Sequence, residues 1–271
     1  MFEVCRQTME ERHAYTYRDR EVAWYRTGEG KPLVVLHGWG SSSEVMMPLA
    51  RSLDGLRSCW LLDFPGFGNS PEPAEAWSLD DYAALVRRFM EDQDLQPADL
   101  LVHSFGGRIA LKLMASDFGR RHIDKVLITG GAGMKPRRSL DWYLKTIAAK
   151  ALKAPFQLLP AGPRSTALER LRGTRVWKAL GSGDYRKTSG VMRETFVRTV
   201  TEYQDGLLAE IPHEVLLLWG TEDGMTPLYQ AERMEQGLEG AALVTLEGAG
   251  HYAFLDRPDR FARIARAFFE G

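Results

Sequence analysis

The chain has 271 residues, of which 44% are hydrophobic and 26% are charged. These values suit one domain with a large buried core and an insertion. The net charge of -1 provides no general attraction to nucleic acid or to acidic lipid, so we expect neither as a partner. No apolar run approaches the roughly 20 residues that a membrane span needs, and the first 20 residues lack the apolar centre of a signal peptide.

The chain begins with a predicted antiparallel hairpin from His13 to about Arg26, where Tyr, Thr and Val alternate with polar residues. Short runs of Val, Leu and Ile follow, of the kind found in parallel strands that are covered on both faces. These predicted strands are Pro32–Leu36, Ser58–Leu62, Leu100–Val102, Val126–Thr129, Val215–Trp219 and Leu243–Leu246.

Helical periodicity separates the strands. Ser78 and Asp81 form a capping-box-like start, behind which a helical face recurs at Tyr82, Leu85, Val86 and Phe89. A last helix is predicted from Pro258 to Phe269, with Phe261, Ile264, Ala265 and Phe268 on one face. Strands that alternate with helices predict an α/β fold with a doubly wound, mostly parallel sheet.

The stretch from 135 to 210 interrupts this alternation, since it contains only helical and loop patterns. It carries 15 Lys and Arg residues against 7 Asp and Glu residues, which leaves the remainder acidic. We interpret residues 135–210 as a helical cap inserted between two strands, and residues 1–134 and 211–271 as the core domain.

Two glycine-rich turns follow the first two parallel strands. The turn Leu36-His37-Gly38-Trp39-Gly40 is one that any α/β protein could use, but its glycines would also let the N–H of Trp39 face a developing oxyanion. The turn from Asp63 to Ser70 consists of turn-forming residues. We assign it no chemistry beyond shaping the entrance of a site.

The segment Val102-His103-Ser104-Phe105-Gly106-Gly107 joins a strand to a helix, the context of a nucleophile elbow. There the Ser104 hydroxyl lies at a helix N-terminus, and the N–H of Phe105 becomes a second oxyanion donor. A plain helix N-cap serine would leave a similar pattern.

Two polar turns follow the last strands, one carrying Asp223 and the other His251. A carboxylate that orients a histidine, and a histidine that deprotonates a hydroxyl, must come from separate loops at one sheet edge. The order Ser104, Asp223, His251 therefore predicts a hydrolytic triad.

The strings HGWG, DFPGFGNS, HSFGG, WGTEDGMTP and GAGHYAFLDRPDRF together resemble the α/β-hydrolase superfamily over nearly the whole chain. The resemblance implies the α/β-hydrolase fold with a lid, a triad of Ser104, Asp223 and His251, and oxyanion donors at the backbones of Trp39 and Phe105. One departure is Val102, because the family's elbow is usually G-x-S-x-G and a small residue normally lies there. His103 is interpreted as structural.

The predicted activity is hydrolysis of a small carboxylic ester through an acyl-enzyme. Narrower resemblances point to the carrier-protein methyl ester esterases of biotin synthesis and to the carbon–carbon hydrolases that cleave meta-cleavage products. A ligand-sensing receptor on the same fold is the non-enzymatic alternative. An acidic carrier protein would contact the basic cap at Lys135, Arg137, Arg138, Arg186 and Lys187, although a solvated basic face would look the same.

The two cysteines, Cys5 and Cys59, lie in no CxxC pair and no Cys/His cluster. We therefore expect two free thiols in a reducing cytoplasm, with no disulfide, no metal and no cofactor.

Overall fold

A computed structural model describes residues 11–137 and 188–271, together with 146–148, 151–152, 154–156, 160, 162–163, 170–171 and 174. Eight strands of the described residues form one sheet in the order β1-β2-β4-β3-β5-β6-β7-β8. They are β1 His13–Tyr17, β2 Arg20–Thr27, β3 Lys31–Leu36, β4 Arg57–Leu62, β5 Ala98–His103, β6 Ile123–Thr129, β7 Glu214–Gly220 and β8 Ala241–Leu246.

The sheet is mostly parallel, as the sequence predicts. Strand β2 pairs antiparallel with β1 and β4, and all other neighbouring pairs are parallel. From β3 the chain first moves outward to β4 and then returns to β5 on the other side of β3. The chain therefore changes direction between β3 and β5, and ligands of open α/β sheets bind beyond the carboxyl ends of the strands at such a point.

Helices cover both faces of the sheet. They are α1 Ser43–Arg51, α2 Leu79–Asp92, α3 Phe105–Ala115, α4 Asp117–His122, α5 Gly190–Val200, α6 Leu228–Gly237, α7 Ala253–Asp256 and α8 Pro258–Glu270, with a 3-10 helix at Asp205–Glu210. One core layer packs α2, α3 and α6 against the sheet. The other packs α1, α7 and α8 against the opposite face.

The predicted helix faces are largely confirmed. Helix α2 begins at a capping box formed by Ser78 and Asp81, and the four predicted apolar residues behind it are buried. In α8, Ile264 and Phe268 pack partly buried against the core layer, and Phe269, which the prediction did not include, is buried. Phe261, Ala265 and Phe269 follow each other at four-residue steps and form the narrower inward stripe.

The predicted cap lies mostly outside the described residues, and Arg138, Arg186 and Lys187 are among those not described. Its described carboxyl end consists of α5 and the 3-10 helix. This end is bonded to the core: the Thr195 hydroxyl accepts the N–H of Trp77 at 3.0 Å, and Arg108 donates to the carbonyls of Thr199 and Glu202 at 3.2 and 2.7 Å. Helix α5 is therefore held against helix α3, which begins directly after Ser104.

A buried ion pair ties the amino ends of four strands together. Asp99 is completely buried and accepts from Arg57 Nε and Lys31 Nζ, both at 2.8 Å, and from the backbone N–H of Lys125 at 3.1 Å. These residues lie on β5, β4, β3 and β6. Because an uncompensated buried charge is costly, Asp99 holds the end of the sheet opposite the loops after β3 and β5.

We expect Asp99→Ala to lower the free energy of unfolding by about 3–5 kcal/mol, because it leaves the Arg57 guanidinium buried without its carboxylate. Urea denaturation measures this. The matched control is Glu194→Ala, which removes an exposed ion pair with Arg198 and should cost about 1 kcal/mol or less. Equal losses in the two variants would contradict the role assigned to Asp99.

Candidate active site

Ser104 lies at a sharp turn between β5 and α3. Its backbone has φ 51° and ψ -107°, a left-handed conformation that costs a non-glycine residue about 1–3 kcal/mol unless its surroundings impose it. Three backbone hydrogen bonds impose it here. The Ser104 N–H donates to the carbonyl of Thr129 at 3.1 Å, and the Ser104 carbonyl accepts from the N–H groups of Gly107 and Ala132, both at 3.0 Å.

The helix after Ser104 approaches the sheet closely because two glycines follow the serine. A Cβ at Gly106 would lie 2.5 Å from the carbonyl oxygen of Leu36, and one at Gly107 would lie 3.1 Å from the Cα of Gly131. Val102, the departure from the family pattern, is fully buried in the same core layer as α3. Helix α3 therefore approaches the sheet most closely at Gly106 and Gly107, which follow Ser104. Val102, which precedes Ser104, is accommodated in the core.

The loop after β3 lies directly against Ser104. His37 is buried, its Nδ1–H donates to the Gly38 carbonyl at 2.7 Å and its Nε2 accepts the N–H of Phe64 at 3.0 Å. Burial lowers the pKa of His37, which keeps the ring neutral. The His37 carbonyl accepts the N–H of Gly106 at 3.1 Å, so this loop and the turn at Ser104 are joined by a backbone hydrogen bond.

Two backbone N–H groups beside Ser104 are free to bind a ligand. Among the described residues, the N–H groups of Trp39 and Phe105 make no hydrogen bond. Their rings pack edge-to-face at 5.2 Å, and the Phe105 side chain is buried. Native proteins rarely leave such donors unsatisfied without a functional reason.

Asp223 and His251, which follow β7 and β8, are joined by a hydrogen bond. His251 Nδ1 donates to Asp223 Oδ2 at 2.9 Å, and the two side chains are 8% and 0% exposed. Asp223 Oδ1 also accepts the N–H groups of Met225 and Thr226 at 2.8 and 2.9 Å. Burial alone would raise the pKa of Asp223, but its hydrogen bonds and the charge of His251 hold that pKa below its ordinary value, so Asp223 is ionised at neutral pH.

The imidazole of His251 packs against the turn after β6, and the end of β6 also bonds to Ser104. A Cβ at Gly130 would lie 3.0 Å from His251 Nδ1, and the residue before it, Thr129, accepts the Ser104 N–H. No hydrogen bond within the described residues joins the Ser104 hydroxyl to His251. Such bonds are often long in a free enzyme and shorten when substrate binds.

His103, which precedes Ser104, links three parts of the site. It is fully buried, its Nε2 donates to the His251 carbonyl at 3.1 Å, and its ring lies 4.8 Å from that of His251. A Cβ at Gly38 would lie 2.8 Å from His103 Nδ1 and 3.1 Å from Ser104 Cβ. Burial, reinforced by His251, lowers the pKa of His103 to about 3. His103 is thus a neutral spacer between the Gly38 loop and the His251 loop.

A cleft of about 550 Å³ opens beside this site. Trp39, Phe67, Met192 and Tyr252 contribute to its lining. Phe196 of α5 packs on Trp39 with ring centroids 5.1 Å apart. The described part of the cap therefore forms one wall next to the free N–H of Trp39.

No group of three His, Cys, Asp or Glu side chains among the described residues could hold a metal ion. No described helix has the length and apolar character to cross a membrane. Cys59 is a buried free thiol whose pKa burial raises to about 12, and Cys5 lies outside the described residues.

The five residues that the sequence selects come together at the carboxyl edge of the sheet. Thr226, Gly130 and Gly38 were not selected, although they surround the imidazole and the serine. For Thr226 a signal was present, because the spacing Asp-x-x-Thr is typical of a turn in which the aspartate bonds its own backbone. Gly130 gave no signal, since its importance depends on a contact with the distant His251, and the glycine-rich turn that contains Gly38 did not reveal its contact with His103.

Comparisons with known proteins agree with this geometry. The sequence pattern of a family described as alpha/beta hydrolase fold matches residues 31–258. A pimeloyl-[acyl-carrier protein] methyl ester esterase of Aeromonas hydrophila is 30% identical over 263 residues, which cover 91% of this chain and 98% of that protein.

Solved structures share the fold at lower identity. A bacterial membrane phospholipase A has a TM-score of 0.74 at 23% identity, covering 97% of this chain and 86% of that one. A meta-cleavage product hydrolase of Pseudomonas fluorescens has a TM-score of 0.70 at 19% identity, covering 95% and 97%.

The neutral buried His103 should make the protein less stable in acid. Its pKa is about 3 in the folded protein and near 6.5 when unfolded, so the unfolded chain takes up the proton first. Its contribution to stability is complete above pH 6.5 and is lost as the pH falls toward 3. Between pH 7.5 and pH 5.0 the expected loss is about 2 kcal/mol.

We expect His103→Gln to remove that share of the loss, as measured by denaturant unfolding at the two pH values. The control, Phe254→Leu, loosens the same contact, in which the two rings lie 5.4 Å apart, without removing a titrating group. It should lower stability by the same amount at both pH values. A wild-type pH dependence retained in His103→Gln would show that His103 is not buried neutral.

Proposed function

The chain belongs to the alpha/beta hydrolase fold family, and we propose that it is a serine hydrolase that cleaves carboxylic esters through an acyl-enzyme. In this proposal Ser104 is the nucleophile, His251 the general base and Asp223 the group that orients the histidine. The observation that carries it is the buried 2.9 Å hydrogen bond between Asp223 and His251, placed beside the strained turn at Ser104.

The first half of the reaction forms the acyl-enzyme. Ser104 Oγ attacks the carbonyl carbon of the ester while its proton passes to His251 Nε2. The Nδ1–H of the resulting imidazolium donates to the Asp223 carboxylate, which fixes the tautomer and stabilises the charge. The carbonyl π electrons move to oxygen, and that oxyanion accepts hydrogen bonds from the N–H groups of Trp39 and Phe105.

The second half restores the enzyme. As the tetrahedral intermediate collapses, the C–O bond to the alcohol breaks and His251 Nε2 returns its proton to the leaving oxygen. Water then attacks the acyl carbon with His251 again taking a proton, and Ser104 leaves with that proton as the acid is released. The cycle consumes one water for each ester and needs no cofactor.

A second candidate is a methyl ester carried on an acidic carrier protein. The relative of 30% identity is named for that activity, and Lys135 and Arg137 at the start of the predicted cap are exposed. The Arg137 guanidinium lies 4.7 Å above the Tyr229 ring, which fixes its position on the surface. Positive groups on this surface would attract an acidic partner.

Carbon–carbon hydrolysis and ligand sensing remain alternatives from sequence. The likeness to a meta-cleavage product hydrolase is at 19% identity, which supports the shared fold and not the reaction. A receptor would bind an ester without turnover. Substrate tests with esters and with a vinylogous diketone separate the three.

We expect the wild-type protein to hydrolyse short p-nitrophenyl esters, and Ser104→Ala to lower kcat/KM by about 10³-fold or more, because the nucleophile is lost while the N–H donors remain. The control is Ser41→Ala, in the neighbouring loop. Equal rates for wild type and Ser104→Ala, at the buffer background, would make the esterase proposal wrong.

The carrier-protein candidate is tested with Lys135→Glu combined with Arg137→Glu. We expect KM for a carrier-linked methyl ester to rise roughly tenfold at low salt and the difference to shrink as salt screens the charges. KM for a p-nitrophenyl ester should not change. Arg263→Glu, an exposed charge reversal on α8, is the control, and a salt-independent effect would count against an electrostatic partner site.

A further inference from the structure

Thr226 makes more contacts with the Asp223–His251 pair than any sequence motif suggested. Its hydroxyl oxygen lies 2.8 Å from Asp223 Oδ2, 2.9 Å from the Gly130 carbonyl oxygen and 3.3 Å from His251 Nδ1. Its backbone N–H donates to the other carboxylate oxygen, Asp223 Oδ1, at 2.9 Å. The side chain is buried, so water does not compete for these contacts.

We propose that Thr226 is a positioning residue and that its hydroxyl sets the pH range in which His251 works as a base. This inference rests on the proposed function, in which the Asp223–His251 pair receives the Ser104 proton. It adds a fourth side chain to that machinery, one that acts through Asp223 rather than on the substrate.

The Thr226 hydroxyl has more acceptors within reach than it has hydrogen atoms to donate. A threonine hydroxyl has one hydrogen, yet two acceptors, Asp223 Oδ2 and the Gly130 carbonyl, lie within 2.9 Å of it. Donation to the carboxylate is the stronger choice because that acceptor is charged. Asp223 then receives four hydrogen bonds, two on each oxygen, which fills its acceptor sites.

Thr226 and His251 donate to the same carboxylate oxygen, Asp223 Oδ2, at 2.8 and 2.9 Å. Each donor withdraws electron density from that oxygen. The Thr226 hydroxyl therefore weakens the attraction of the Asp223 carboxylate for the imidazolium form of His251. Without the hydroxyl, the pair would hold the imidazolium more tightly and release its proton only at higher pH.

A hydrogen bond to the backbone of Thr226 also helps to fix the position of its hydroxyl. The Thr226 carbonyl accepts the indole N–H of buried Trp219 at 2.7 Å. Gly130, the alternative acceptor, has φ +54° and no room for a Cβ beside His251. The hydroxyl therefore lies between the Asp223 carboxylate and the Gly130 carbonyl.

Other titratable and charged groups face this pair and must stay constant in any test. His103 and Tyr252 lie 4.8 and 5.5 Å from the His251 ring. Asp256 accepts the N–H of Gly250 at 2.7 Å, and Glu222 precedes Asp223 on an exposed turn. None of the four bonds to the Thr226 hydroxyl, so a substitution of Thr226 leaves them in place.

The experiment compares Thr226→Val with Thr226→Ser in the full chain. Valine keeps the shape and removes the hydroxyl, whereas serine keeps the hydroxyl. The pH dependence of kcat/KM is measured with p-nitrophenyl acetate, read at the isosbestic wavelength of the product. We expect the acid limb of Thr226→Val to move up by about half a pH unit or more, with kcat near neutral pH about tenfold lower, and KM little changed.

The serine variant should restore the wild-type acid limb. The rate of fluorophosphonate labelling against pH should move in the same way, which gives a readout independent of turnover. A purely structural role would lower the melting temperature of Thr226→Val and scale its rates equally at every pH. An acid limb that superimposes on that of wild type would overturn the inference.

Failure of the inference and failure of the proposed function differ in outcome. If wild type hydrolyses the ester and Ser104→Ala does not, the proposed function stands whatever Thr226→Val does. If wild type is inactive with the ester and unreactive with the fluorophosphonate, the proposed function fails, and the Thr226 inference falls with it.

Discussion

The left-handed backbone at Ser104 is the constraint on which the site depends. A serine stays at φ 51° only because three backbone hydrogen bonds hold it, from Thr129, Gly107 and Ala132. The Phe105 N–H, which follows this turn, makes no hydrogen bond among the described residues. Strand, turn and helix thus fix the position of Ser104 before any side chain of the site is considered, and the glycines after Ser104 make that turn possible.

The second condition is that the Asp223 carboxylate is charged while the buried histidines of the site, His37 and His103, are neutral. Burial lowers the pKa of both His37 and His103. A ring nitrogen of each donates to a backbone carbonyl of a loop. Asp223 keeps its charge because it receives hydrogen bonds from two backbone N–H groups and two side chains. In the proposed mechanism, the positive charge that forms on His251 is matched by the Asp223 carboxylate, to which His251 Nδ1 donates.

Much of this could be predicted from sequence. Apolar runs predicted the parallel strands within a few residues, and since carboxyl ends of parallel strands meet at one edge, the motifs after them had to converge. The predicted cap lies mostly outside the described residues, and the contact of its described helix α5 with Arg108 of α3 could not be derived from the strand pattern. The spacing Asp-x-x-Thr marks Thr226 as a turn residue, but its contacts with Gly130 and His251 join distant segments, which no local pattern records. Val102 departs from the usual elbow pattern, and the structure accommodates it fully buried in the core layer of α3.

The central claim is that Ser104 is the reactive nucleophile of this constellation. Treatment with a fluorophosphonate followed by intact-mass and peptide mapping tests it most directly. The account predicts one adduct per chain, on Ser104, formed much more slowly in a folded His251→Ala variant. An adduct on another residue, or none on folded protein, would contradict it.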